Sequence, residues 1–414
     1  MKTALHAFTG YGIELEYMIV DRESLAVLPI ADRLLHALSG EYLSEVECGR
    51  LSWSNEIVLH LIELKNHRPE SFLATLSAQF QHEIQRINRM LQSYGAMLMP
   101  SAMHPWMNPH LETQLWSHDH ADIYRTYDRI FDCKRHGWAN LQSMHFNLPF
   151  ADDEEFARLH AAIRLLLPIL PALAASSPIA EGRATGLLDT RMANYLTHQM
   201  QIPTTMGQVI PDTIIDRTGY VTQILQPMYR ELVALDPDGI LRHEWLNVRG
   251  AVARFARNAI EIRVIDVQEH PGADLAIAMV VRDAVHALYE QRAASLAEQQ
   301  AIDTAVLVGI LHACINDAEQ ARITECGYLQ LLGFPERQCQ ARELWQHLIA
   351  SMSIGPMDEA AACQAALDTI MEQGPLARRL LRAAGRDFSR SRLQAVYREL
   401  CNCLQEGRSF VGID

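Results

Sequence analysis

Along the first two-thirds of the chain, short runs of alternating apolar and polar residues are separated by stretches of helical spacing. Successive side chains of a strand face opposite sides, so residues i and i+2 share a face. Four runs read this way as strands, at 12–20, 57–66, 141–148 and 259–266, with a weaker fifth at 96–100. The stretch 70–95 repeats apolar residues at helical spacing and stops at Gly95. The stretch 152–167 opens on Asp and Glu, which suit a helix N-terminus, and stops near Pro168. From about 270 onward nearly everything is helical, including 273–300, 341–352, 358–374 and 391–407. The pattern predicts one α/β core followed by a helical C-terminal part, with no repeat or low-complexity linker between them.

The polar faces of these strands carry the chemistry. In "GIELEYMIVD" Glu14 and Glu16 stand about 7 Å apart, at a rise of roughly 3.3 Å per residue, opposite Ile13, Leu15 and Tyr17. Glu63 falls on the face of Ile57, Leu59 and Leu61, where a carboxylate is costly to bury unless it meets a cation. Ser143, His145 and Asn147 oppose Met144, Phe146 and Leu148, and Glu261 and Arg263 oppose Ile260, Ile262 and Val264. Any one such strand is explained by a half-exposed antiparallel sheet. Together they are unusual, because solvent-facing strands favour Thr, Lys, Gln and Ser over a set of acids with one imidazole. Carboxylates with an imidazole suit Mg2+ or Mn2+, and two or more such ions on one face would clamp a polyphosphate. Glu56, seven residues before Glu63, would point to the opposite face of a regular strand. Joining the set requires a bulge or a place on the preceding turn.

Composition narrows the classes. At 49% hydrophobic and 21% charged residues the chain can bury a large core. Its formal net charge of −14 disfavours nucleic acid and anionic membranes as partners. The N-terminus does not read as a signal peptide, and "LLLPILPALAA" is too short to span a bilayer and holds Pro168 and Pro171, so a soluble, cytoplasmic protein is expected. The eight cysteines show no paired framework and read as free thiols. Histidines cluster in "MHPWMNPH" and "WSHDHADIY", either as metal ligands or as exposed loop residues. There is no G-x-x-x-x-G-K-[ST] loop, strand-to-helix G-x-G-x-x-G, G-x-S-x-G or H-E-x-x-H. Metals and arginines must therefore hold the phosphates of any bound nucleotide.

The segments "GIELEYMIVD", "NEIVLHLIELKN", "MHPW", "MHFNL", "SSPIAEGRATGLLDTR" and "NAIEIRVIDVQ" resemble, in order and spacing, the glutamate–cysteine ligase type 2 (carboxylate–amine ligase) family, related in fold to glutamine synthetase. The resemblance runs from residue 8 to about 290. It implies an α+β fold with a curved, mainly antiparallel sheet, flanking helices and a helical C-terminal part. The expected organisation is a catalytic core at 1–290 and a helical extension at 291–414 packed on it. The implied reaction uses ATP and Mg2+ or Mn2+ to convert a carboxylate, typically the γ-carboxylate of glutamate, to an acyl phosphate that an amine such as cysteine displaces. Partners are then small amino-acid substrates, and a homo-oligomer stays open. By the same resemblance Glu14, Glu16, Glu56, Glu63, His145 and Glu261 are metal ligands, and Arg263 meets the transferring phosphoryl group beside Glu261. Arg191 holds the amino-acid carboxylate, Asn147 lies at the substrate, and Arg183 and Arg249 are further anion contacts. The chain departs from the family where "HFNL" replaces H-V-H-V, putting Asn147 at the second His, where "ELKN" replaces E-[IL]-x-T, and in "FARNAIEIR". A metal-dependent hydrolase of amides or phosphate esters, or a binding protein that keeps the fold, uses the same acidic face.

Overall fold

A computed structural model describes residues 4–351 and 361–413. The central sheet has eight strands: β1 (Gly12–Asp21), β2 (Glu45–Cys48), β3 (Leu51–Asn55), β4 (Leu61–Asn66), β5 (Ala96–Met99), β6 (Ser143–Pro149), β7 (Ala251–Arg254) and β8 (Ala259–Asp266). Their order is β2-β3-β4-β1-β6-β8-β7, with β5 pairing the second half of β1, and each pairing in the sheet is antiparallel. The fold is α+β with a mainly antiparallel sheet and flanking helices, as the sequence implied.

One face of this sheet is the floor of the core. Ile13 lies beside Phe146, which lies beside Ile262, while Leu15 lies between Leu64 and Met144, all of them at most 1% exposed. Helix α1 (Ala74–Leu91) directs Leu76, Phe80, Ile84, Ile87 and Leu91 inward at helical spacing, and the chain turns at Gly95 in the left-handed region. Helix α2 (Asp153–Leu166) is capped by Asp152, whose side chain accepts from the Glu155 N–H. Helix α3 (Pro271–Tyr289) starts with Pro271 behind the His270 cap and is buried on nearly every side, as its run of Ala, Leu, Ile, Met and Val requires. It packs against α1 and α2.

The strand expected at 57–66 is a loop followed by β4 alone. β3 and β4 form a hairpin whose loop, residues 56–60, carries Ile57 and Leu59 off the strand. Leu59 bonds the Gln114 carbonyl through its N–H, and Val58 makes an isolated bridge to Leu115. Alternation could not expose this break, because the loop is as apolar as the strand it precedes. β2, β3 and β7 are further strands beyond the five expected. The helix expected at 358–374 is seen as Ala361–Gln373, and residues 358–360, with Met352 of the segment 341–352, lie outside the described residues.

Helices after residue 290 are tied to the earlier chain by buried polar bonds. The Tyr328 hydroxyl donates to the Leu165 carbonyl (2.8 Å) and the Trp345 indole to that of Ile169 (2.9 Å). Just beyond β8, Glu269 meets the Arg379 guanidinium, and the Phe410 N–H also donates to Glu269 (3.2 Å). Both charged side chains of this pair are 1% exposed. Removing one partner of such a pair leaves an uncompensated buried charge. Arg379→Met is therefore expected to lower unfolding stability by about 3–5 kcal/mol, read by urea denaturation, and a loss under about 1 kcal/mol would show that the pair does not carry the C-terminal packing.

Candidate active site: an acidic sheet face between two cavities

Antiparallel register assembles the site. On the face away from the core, Glu14 of β1 lies opposite Lys65 of β4 on one side and His145 of β6 on the other, and Glu16 lies opposite Glu63. Asn147 lies between Gly12 and Glu261 of β8, and Ser54 of β3 opposes Glu63. Gly12 leaves room for Asn147: a Cβ at that position would sit 3.0 Å from the Asn147 Cβ and press on it. Glu56 ends up on the β3–β4 turn, one of the two placements that would bring it to the acids. Ligand atoms of Glu16, Glu56 and Glu63, and of Glu14, Glu63 and His145, lie within 4.8 Å of one another, with Glu63 common to both groups. These oxygen-rich sets with one imidazole fit a hard or borderline divalent cation. They are the two metal-capable groups among the described residues, and the loop histidines form none. His104 instead accepts the Trp106 and Met107 N–H groups at Nδ1 and meets the Leu25 carbonyl at Nε2 (2.8 Å), a buried structural role.

The acids are held by short polar contacts. His145 Nδ1 is 3.1 Å from Glu14, and its Nε2 is 3.0 Å from the Ser143 hydroxyl and 3.6 Å from Glu16. Glu16 also accepts the Ser143 N–H (2.7 Å), Glu14 accepts from Asn147 (3.1 Å), and Glu63 accepts from Ser54 (2.7 Å) and Lys65 (3.1 Å). Burial alone would push His145 toward neutrality. The Glu14 hydrogen bond and the charges of Glu16, Glu14 and Glu261 outweigh it and raise its pKa to about 9. Burial works against ionised Glu14, but the His145 hydrogen bond and the His145, Lys65 and Arg257 charges hold its carboxyl well below the usual range. The Glu56 carboxyl makes no hydrogen bond or ion pair with a cation among the described residues. Burial, then the charges of Glu16 and Glu63, push it well above the carboxylate range. Burial also raises Glu63, against the pull of Lys65.

Arg263 follows Glu261 on β8 at a register shift between Ile262 and Ile265, where β8 has one residue more than β6. Its guanidinium is 2.9 Å from Glu261, and Arg254 approaches the same carboxylate at 3.5 Å. These charges lower the Glu261 pKa despite its burial.

Cavities open at both ends of the acidic face. One of about 230 Å3 is walled by Glu16, Glu56, His145, Arg263 and Arg191 together with Tyr124, Tyr127, Tyr195, Trp138 and Trp245. The other, about 810 Å3, takes in Glu14, Lys65, Asn147 and Arg257. Arg191 is buried, 3.2 Å from Asp266 and donating to the Arg263 carbonyl (2.9 Å), so it braces the strand that carries Arg263 while facing the smaller cavity. Arg183 and Arg249 line neither cavity. Arg183 is exposed and paired with Glu181 (3.0 Å), while Arg249 is committed to Asp212 (3.0 Å) and the Thr204 carbonyl (3.0 Å). Sequence reasoning missed Lys65, Arg254, Arg257 and the aromatic wall. Lys65 had a signal, since it continues the i, i+2 series of Glu63. The aromatic residues had none, coming from three separate segments.

The antiparallel sheet thus gathers acids, with arginines beside them, on its outer face. The sequence pattern of glutamate–cysteine ligase family 2 matches residues 11–399, and the chain belongs to that family. It is 35% identical over 280 residues to an "Uncharacterized protein" of Archaeoglobus fulgidus, spanning 68% of this chain and 75% of that one. It is 24% identical to the "Putative glutamate--cysteine ligase 2-3" of Rubrobacter xylanophilus, over 90% and 91% of the two chains. The glutamate–cysteine ligase of Francisella tularensis, solved in complex with AMP, shares the fold at a TM-score of 0.63 and 15% identity, over 95% of this chain and 88% of that one.

A histidine whose folded pKa lies above its ordinary 6.5 stabilises the fold fully below pH 6.5 and loses that contribution as pH rises through about 9. In chelator-treated protein, stability is expected to fall across this window by about 3 kcal/mol, the equivalent of the shift. Urea denaturation of wild type and His145→Gln checks it: the slope should be smaller in the variant, the raised carboxyls of Glu56 and Glu63 supplying a remainder, and an unchanged slope would assign it to other groups.

Proposed function

We propose that the protein is an ATP- and divalent-cation-dependent carboxylate–amine ligase, acting on the γ-carboxylate of glutamate. The observation that carries this reading is the convergence of Glu14, Glu16, Glu63 and His145 on one sheet face, joined by Glu56 from the adjoining turn, between two cavities, with Glu261 and Arg263 alongside. Membership of the ligase family and the AMP bound by the Francisella enzyme support the use of ATP.

Glu14, Glu16, Glu56, Glu63 and His145 would hold Mg2+ or Mn2+, with Glu261 beside them, and the ions' charge would offset that of a triphosphate and of the transferring phosphoryl group. In this reading the larger cavity, of a size typical for a nucleotide-scale ligand, takes ATP with its phosphates toward Glu14, Lys65 and Arg257. The smaller cavity takes the carboxylate substrate beside Arg191. The substrate oxygen attacks the γ-phosphorus and ADP leaves. Arg263, held by Glu261 and the bulge, donates to the phosphoryl oxygens as charge spreads over them. The amine then adds to the acyl carbon, the C–O bond to phosphate breaks, and phosphate departs with the electron pair while nitrogen loses a proton. The ring of Tyr, Trp and His side chains around the smaller cavity limits water that would hydrolyse the acyl phosphate.

The test is ADP and phosphate release with Mg2+, ATP and a panel of acids and amines. Release that requires both an acid and an amine is expected; turnover without nucleotide would replace the reading with a metal-dependent hydrolase, and none under any condition with a binding protein. Glu16→Gln and Glu261→Gln should each reduce kcat by about 10²-fold or more with the far-ultraviolet spectrum unchanged. Arg263→Lys should be slowed comparably, since a point charge does not reproduce a planar fork. Near-normal rates in any of the three would remove that residue from the mechanism.

A further inference from the structure

Arg263 is held at more points than its ion pair with Glu261. Its backbone N–H donates to the Gly250 carbonyl (3.1 Å), and its own carbonyl accepts from Arg191 (2.9 Å). On the side chain, Nε and Nη2 both donate to one oxygen of Glu261 (3.1 and 2.9 Å), while Nη1 reaches the Asn247 carbonyl (3.4 Å). A guanidinium resting on a single carboxylate oxygen can pivot about it, and the contact at Nη1 fixes its plane. One N–H on each terminal nitrogen is left for a phosphoryl group. The stretch 247–250, just before β7, thus grips Arg263 at both its backbone and its side chain, and Trp245 and Val248 beside these contacts wall the smaller cavity.

That stretch is anchored through the side chain of Asn247, which is fully buried. Its amide nitrogen donates to the Tyr220 hydroxyl (2.6 Å), and the same hydroxyl accepts the Ala253 N–H of β7 (3.0 Å). Tyr220 is itself buried, where the helix Arg217–Tyr220 passes into the π-helical turn Val221–Leu225. The amide oxygen of Asn247 accepts from the Arg249 N–H (3.1 Å) and from its guanidinium (3.3 Å), which is anchored in turn on Asp212 and the Thr204 carbonyl. Gly207, in the left-handed region, runs against that guanidinium: a Cβ there would lie 2.9 Å from it. Both ends of the Asn247 amide are therefore bonded, and a satisfied buried network of this kind is rigid. Tyr220, Asn247 and Arg249 wall neither reaction cavity, so the network meets the chemistry through Arg263.

We propose that Tyr220, Asn247 and Arg249 are positioning residues for phosphoryl transfer: through the stretch 247–250 they fix the plane of the Arg263 guanidinium. Arg249, an anion contact by sequence, serves the anion only through Arg263. The inference rests on the ligase reading above. Its physical basis is that a donor must already point at the place where charge develops, and a displacement of about 1 Å can cost about a hundredfold in rate.

Two measurements on the full-length protein test it. The first is ADP release with Mg2+, ATP and the acid and amine pair selected by the panel above. Tyr220→Phe and Asn247→Ala should each lower kcat about tenfold or more, with the KM of ATP and of the acid changed by less than about twofold. Because both act through Arg263, adding either to Arg263→Lys should cost less than about twofold beyond Arg263→Lys alone. Losses that multiply in the double variants, or normal kcat in both single variants, would overturn the proposal and leave the ligase reading standing. The second measurement needs no turnover. In protein carrying isotope-labelled arginine, the Arg263 Nε–H resonance is identified by its loss in Arg263→Lys. It should exchange with water about tenfold faster in Tyr220→Phe and Asn247→Ala than in wild type, and unchanged exchange would overturn the proposal. If no acid and amine pair turns over, the ligase reading fails and the exchange rate alone decides the positioning role. Should Asn247→Ala fail to fold, Tyr220→Phe, which removes a single oxygen, carries both measurements.

Discussion

Four carboxylates on one face of a sheet, with Glu56 on the adjoining turn, set the terms for everything around them. Like charges at this spacing repel strongly once water is displaced. The fold offsets the repulsion with the cations it has: His145 between Glu14 and Glu16, Lys65 on Glu63, and Arg263 with Arg254 on Glu261. Among the described residues Glu56 pairs with no cation, and burial with the charges of Glu16 and Glu63 biases its carboxyl toward the neutral form.

Register is the second half of that constraint. Side chains alternate with a period of two, so a one-residue slip of β1 against β4 or β6 would send Glu14 and Glu16 into the core and Leu15 out. The apolar ladder from Leu64 through Leu15 to Met144 therefore fixes the acid ladder on the opposite face. Hydrophobic packing positions the polar chemistry. The same coupling explains how the fold persists at 15% identity with a solved ligase, since a sheet needs the alternation kept and tolerates change in the walls around it.

The walls come from segments outside the sheet. Tyr124, Tyr127, Tyr195, Trp138 and Trp245 narrow the space beyond Glu16, and Arg390, from the helical C-terminal part, reaches a further cavity next to it. The late helices thus contribute to the surroundings of the acidic face as well as to its support. Buried bonds such as Glu269 with Arg379 fasten them just beyond β8, the strand that carries Glu261 and Arg263.

The sequence by itself determined which strands hold the acids and on which face, because alternation is a local property: Glu14 with Glu16, His145 with Asn147, and Glu261 with Arg263 are legible as i, i+2 pairs. The helix ends at Gly95 and Asp152 were legible for the same reason, each set by a cap within a few residues. Tertiary structure alone decided that Glu56 reaches the group from a turn and that Lys65 faces Glu14. It likewise decided that Arg183 and Arg249 are bound elsewhere and that three distant segments close an aromatic cavity beside the acids. Those outcomes depend on which strands pair and in what register, and pairing across tens to hundreds of residues is set by the packing of the whole core rather than by any spacing written along the chain.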